Sequence, residues 1–109
     1  MTDFVKVLGQ LTPSANTLTA AYTVPALTST VVSSIVICNT NSSFIVFRVS
    51  IAIGGAADTI AQYIYYDLPM DPNDTFIATI GVSLATTDVI RVRSDTSNVS
   101  FNIFGVETQ

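Results

Sequence analysis

The sequence predicts an all-β fold, a single antiparallel β-sandwich of about eight short strands, with a jelly roll as one arrangement of them. Three observations carry this expectation. Apolar side chains recur at every second residue through much of the chain, the period of a strand with one face in a core. Clusters of Gly, Pro, Asn, Asp and Ser separate these runs at short intervals. Helical periodicity is almost absent. The 109 residues suffice for one domain with one core, and neither a linker nor an internal repeat divides them.

The elements follow in order. Residues 4–9 (FVKVLG) and 17–23 (TLTAAYT) are the first two strand candidates. Pro25 stops the second, because proline has no N–H to give to a ladder. Residues 30–38 (TVVSSIVIC) are uncharged and rich in β-branched side chains. Strict alternation sets Val31, Ile35 and Ile37 on one face and Val32, Val36 and Cys38 on the other, so this run predicts a central strand covered on both faces, by its own sheets and by either a loop of the same chain or a neighbouring subunit. The polar cluster Asn39-Thr-Asn-Ser-Ser43 then reads as a hairpin turn. In residues 44–53 (FIVFRVSIAI), Ile45, Phe47, Val49, Ile51 and Ile53 share one parity.

Gly54 and Gly55 end that run, since glycine reaches positive φ without steric cost. Residues 56–66 hold at most one helical turn before a strand at 62–66, because the end of the window is rich in tyrosine and isoleucine. The segment Pro69-Met-Asp-Pro-Asn-Asp74 is a rigid turn. Residues 75–82 form the next strand candidate. In residues 89–93 (VIRVR), Val89, Arg91 and Arg93 oppose Ile90 and Val92. Residues 95–98 make a short polar connection. In residues 99–106 (VSFNIFGV), Val99, Phe101 and Ile103 alternate with Ser100 and Asn102.

Composition narrows the function. Only 11% of the residues are charged, against about 25% in an average soluble domain. Ser, Thr and Asn therefore supply the polar surface. Such a surface is easily desolvated and suits permanent contact between subunits better than it suits a free secreted β-domain. The net charge is −4, and the four basic residues, Lys6, Arg48, Arg91 and Arg93, are too few for a nucleic-acid patch. Cys38 is alone, so no internal disulfide forms; its apolar neighbours suggest a buried thiol. The opening MTDFVKVLGQ lacks the basic and apolar stretches of a signal peptide. The apolar run at 31–38 falls far short of the ~20 residues of a spanning helix.

The residues for catalysis are mostly missing. No histidine is present, which removes His-dependent triads and the usual nitrogen metal ligand. No phosphate-binding glycine loop appears, so no enzyme and no cofactor are expected. Asp67, Asp71 and Asp74 are close enough in sequence to suggest a Ca²⁺ loop. Their spacing does not match an EF-hand, and turn-forming Asp with Pro is the simpler explanation. N-x-[ST] triplets at Asn41, Asn73 and Asn98 read as turn asparagines. Tyr63 and Tyr65 are expected on one strand face, available for an interface or for stacking a sugar.

A further pattern spans nearly the whole chain. The ordered segments VLGQ (7–10), LTAAYTVP (18–25), VVSSIVICN (31–39), FRVSIAIGGAA (47–57), YIYYDLPMDPNDTF (63–76) and VSFNIFG (99–105) resemble a family of small virion proteins of tailed bacteriophages. The resemblance implies a structural component of a phage particle, assembled in the host cytoplasm. A capsid decoration (cement) protein bound to the major capsid protein is the first choice. A tail, baseplate or fibre-associated subunit is the alternative. A homo-oligomer is expected, with a trimer favoured because cement proteins often occupy three-fold sites. The matching motifs are structural and transfer no site residues. Phe4, Tyr63 and Tyr65 are the expected interface anchors, and residues 1–10 and 106–109 are expected to contact neighbouring subunits. No nucleic acid or membrane partner is expected. A carbohydrate-binding module touching the host surface is the alternative from another class.

Overall fold

A computed structural model describes residues 2–109. Nine strands occur in the order β1 (Asp3–Leu11), β2 (Thr19–Thr23), β3 (Ser29–Asn39), β4 (Ile45–Ala52), β5 (Tyr63–Met70), β6 (Thr75–Ala78), β7 (Val82–Leu84), β8 (Val89–Ser94) and β9 (Val99–Thr108). One sheet has the order β1-β9-β3-β6, with β7 also on β3; the other has the order β2-β8-β4-β5. Every pairing is antiparallel. The pairs nest like one long hairpin rolled upon itself: β1 with β9, β2 with β8, β3 with β6 and β7, β4 with β5. This is jelly-roll connectivity, two sheets closed over a common core. The expected strand at 75–82 is broken at residues 79–81, so β6 and β7 share one position beside β3.

The alternation seen in sequence becomes the core. Ile45, Phe47 and Val49 of β4, Ile90 and Val92 of β8, and Val99, Phe101 and Ile103 of β9 are each at most 1% exposed. Phe47 sits at the centre, its ring 6.3 Å from Phe101 and 5.6 Å from Phe76. Truncating such a side chain to alanine typically costs about 3–5 kcal/mol. Ile53 shares the parity of β4 yet is 78% exposed, because the strand has by then turned into the short 3-10 turn Ile53–Gly55. A second 3-10 turn, Ile60–Gln62, precedes β5, in agreement with the single helical turn expected there.

Two sequence expectations need correction. The run at 30–38 is a central strand, flanked by β9 on one side and β6 and β7 on the other, and this chain itself covers one of its faces. A bulge between Val32 and Ser34 inserts one residue, and parity flips there. Val32 therefore joins Ile35 and Ile37 in the core, each fully buried, while Val31 faces outward with Val36 and Cys38. The Cys38 thiol is accordingly half-buried on the outer face and not a core group.

The second correction concerns residues 39–43, which do not close a hairpin. β3 and β4 belong to different sheets, so the polar cluster is an arch across the sandwich. Its organiser is Asn39, fully buried. The Asn39 amide donates to the carbonyls of Ser43 (3.1 Å) and Asp71 (3.0 Å), and its Oδ1 accepts from the Asn41 N–H (2.9 Å). The two terminal stretches expected to reach neighbouring subunits pair with each other along β1 and β9, and the other edge of β1 stays open.

Gly105 permits this sheet. A Cβ there would lie 2.2 Å from the Val31 carbonyl oxygen and 3.0 Å from the Leu8 side chain. It sits where β3 bulges after Val32 and β1 bulges after Val7, so both neighbours lean over it. Only a residue without a side chain fits between them.

Candidate assembly surface

The two sheets differ sharply in what they turn outward. On the β1-β9-β3-β6 sheet the outward residues form rows across the strands. Val5, Val106, Val31 and Ser83 make one row; Gln10, Asn102, Val36 and Ile77 make another; Val7 and Phe104 lie between them. Val5 is 84% exposed, Ile77 61%, and Val7 and Val31 about half. Asp3, at a corner, is the one charged residue in these rows, and its carboxylate accepts from the Thr108 hydroxyl at 2.8 Å. Four strand positions spaced about 4.8 Å apart, by some eight residues at about 3.4 Å, give a face of about 500 Å². Covered by a partner, it would remove about 1,000 Å² in total from water, the lower limit for a specific interface.

The outer face of the other sheet carries the charge. β4 and β8 set Arg48 opposite Arg93 and Ser50 opposite Arg91. Like charges directly opposite are unfavourable, and the carboxylate of Asp67 compensates. It accepts from Arg48 Nε at 2.6 Å and Nη2 at 3.1 Å, and Arg48 holds it below the usual carboxylate range. The Arg48 guanidinium also lies 4.1 Å from the centre of the Tyr66 ring. Arg91 donates to the carbonyls of Ala56 and Gly55 and thereby pins the β4–β5 connection. Arg93 donates to Asn16 Oδ1.

The residues singled out in sequence are distributed across the molecule. Tyr63 and Tyr65 do not share a face. β5 slips register twice against β4, once between the partners of Val49 and Ser50 and once between those of Phe47 and Val49. Tyr65 consequently turns inward, 5.3 Å from the Phe76 ring and 6.0 Å from Phe47. Tyr63 turns outward, packs edge-on against Tyr66 at 5.0 Å and donates to Asp58. Burial and that bond to Asp58 raise the pKa of its phenol. Phe4, 44% exposed, pairs with Glu107 in the β1–β9 register.

Two of the three aspartates of the suggested Ca²⁺ loop have side-chain partners, and the third contributes its backbone carbonyl. Asp67 is bound by Arg48, Asp74 Oδ1 accepts from the Thr75 N–H, and the Asp71 carbonyl accepts from Asn39. Among the described residues no group of three potential metal ligands comes together.

One polar cluster escaped the sequence reading. Glu107, 4% exposed, projects inward between the sheets. It accepts from the Tyr22 hydroxyl at 2.5 Å and pairs with Lys6 Nζ at 2.9 Å; Tyr22 also meets the Thr30 hydroxyl at 2.8 Å. The cluster ties β1, β2, β3 and β9 together across both sheets. Tyr22 and Lys6 hold the Glu107 carboxyl below its ordinary value, and burial together with Glu107 pushes the Tyr22 phenol up to about 12. The signal was available: Glu107 falls on the parity of Val99, Phe101, Ile103 and Gly105, so it had to point inward.

No protein-family model matches this chain, and no curated protein does so either.

Proposed function

We propose that this chain is a structural subunit of a tailed-bacteriophage particle, a capsid decoration protein that cements the shell through repeated contacts with the major capsid protein. The observation that carries the reading is the outer face of the β1-β9-β3-β6 sheet, where Val5, Val7, Val31 and Ile77 are exposed and Asp3 is the one charged residue. Such a face gains from being covered, and repetition by symmetry turns a contact of modest area into a strong attachment. The ordered resemblance to small virion proteins favours the same role. The low overall charge and the lack of a catalytic set are compatible with it.

The test is co-sedimentation with capsids assembled from the major capsid protein of the same genome. The wild-type protein is expected to bind at a fixed copy number. Ile77→Glu, which places a charge on the outer face, is expected to abolish binding without changing the thermal melt. Absence from the capsid pellet sinks the decoration role; binding to tails in its place moves the subunit to the tail. A second reading, a sugar-binding module, draws on the outward Tyr63 and Tyr66 beside Arg48. A flat response on a glycan array removes it.

A further inference from the structure

β1 is the end strand of its sheet, and β9 is the only strand that pairs with it among the described residues. The start of the ladder shows which of its backbone groups are free. Thr2 and Gln109 exchange both N–H···O bonds, at 2.8 and 2.9 Å, so they form a hydrogen-bonded pair. In an antiparallel ladder such pairs alternate with pairs whose amide groups point away from each other. Counting along the register, Phe4 and Lys6 bond to β9, whereas Asp3, Val5 and Val7 turn their N–H and C=O groups outward. Exposed edges of this kind are commonly guarded by a lysine. Here the Lys6 ammonium is drawn inward to Glu107 and leaves the edge unguarded.

We propose that β1 pairs with β1 of a second copy across a two-fold axis at Val5, joining two sheets into one. In that register Val5 opposes its own counterpart, and Asp3 opposes Val7 in both directions. Three outward N–H groups on each strand meet three C=O groups on the other, six bonds in all, and no outward group of Asp3, Val5 or Val7 is left over. An axis at Phe4 would set Val7 opposite residue 1, outside the described residues. An axis at Lys6 would leave Asp3 unpaired and set lysine against lysine. A shift by one residue would point outward amides at strands already bonded to β9.

The side chains agree with the same register. Val5 and Val7, 84% and 51% exposed, are brought together on the outer face. Phe4 lies opposite the stem of the second copy's lysine on the inner face. The contact is self-complementary, as a two-fold interface requires. It also places two outer faces of low charge side by side. The inference rests on the edge strand alone and stands apart from the virion role, so its test is made on the isolated protein without capsids.

The test is cysteine cross-linking in a Cys38→Ser background. Hydrogen-bonded antiparallel partners have Cα atoms about 5.5 Å apart, within the range of a disulfide. Val5→Cys is expected to give a covalent dimer, twice the 11.6 kDa chain, on mild oxidation. Val7→Cys alone is expected to cross-link at least about tenfold more slowly, because its partner is Asp3. Asp3→Cys mixed with Val7→Cys is expected to give the heterodimer. Val5→Pro removes one outward N–H and spares the ladder with β9. It is expected to be monomeric by light scattering, with an unchanged circular-dichroism spectrum. The proposal is overturned by a wild-type monomer together with no Val5→Cys dimer, by a trimer, or by an oligomer that survives Val5→Pro.

Discussion

Replacing Tyr22 with phenylalanine removes one oxygen atom and isolates the cross-sheet polar cluster. The hydroxyl donates to Glu107 at 2.5 Å and lies 2.8 Å from Thr30, and all three residues are at most 8% exposed. A hydrogen bond to a charged acceptor contributes about 1.5–3 kcal/mol, and water has little access to replace it. Lys6 stays bound at 2.9 Å, so Glu107 retains one partner. A loss of about 2 kcal/mol is expected, out of the 5–15 kcal/mol typical of a domain. At about 4–8 °C per kcal/mol for a small domain, the melting temperature falls by about 8–16 °C.

The dependence on pH separates this account from simple packing loss. Because Tyr22 and Lys6 depress the Glu107 pKa, their stabilisation is present above the unfolded glutamate value, near 4.3, and is lost as pH falls through the lower folded value. The deficit of Tyr22→Phe should therefore shrink to about 1 kcal/mol in acid, where only a bond between neutral groups is missing. In alkali the sign reverses its direction. The wild type keeps its Tyr22 contribution below pH 10 and loses it as pH rises towards the folded value of about 12; the variant has no such loss. Urea titrations followed by circular dichroism at pH 7, pH 3 and pH 11 measure all three. A deficit under 0.5 kcal/mol at pH 7, or one that keeps its size down to the pH at which Glu107 is protonated, would falsify the argument.

Gly105→Ala places a Cβ 2.2 Å from the Val31 carbonyl oxygen, and a backbone atom cannot move aside as a side-chain tip can. A loss of about 1–3 kcal/mol or more is expected in the same urea titration. Asn39→Ala strips the arch between β3 and β4 of three hydrogen bonds and leaves the carbonyls of Ser43 and Asp71 without that donor. A loss of about 2–3 kcal/mol is expected by thermal melt, and Asn39→Asp should not restore it because a carboxylate cannot donate.

The strands were legible because strand periodicity is written residue by residue. Successive side chains on an extended chain point to opposite faces whatever the partner, so 99–106 and 89–93 disclosed their inner and outer sets directly. The turn clusters were equally local: Pro25 lies just beyond β2, and the two glycines at 54 and 55 take the positive φ values, 63° and 72°, that their residue type allows. The lack of charge on one outer face was present in the composition, though not its location.

Tertiary structure decided everything that depends on pairing. A bulge adds one residue to one strand and flips all later side chains, so Val31 and Val32 exchanged faces and Tyr63 parted from Tyr65. The polar cluster at 39–43 marks a connection in either case; whether it joins paired strands or crosses between sheets depends on residues far along the chain. Glu107 found Tyr22, 85 residues away, only once β2 and β9 lay across the same core. The free edge of β1 likewise exists only because β9 takes its other side. Alternation is a steric property of each residue and its neighbours. Register and exposure follow from minimising the free energy of the whole packed chain, and no local window contains that information.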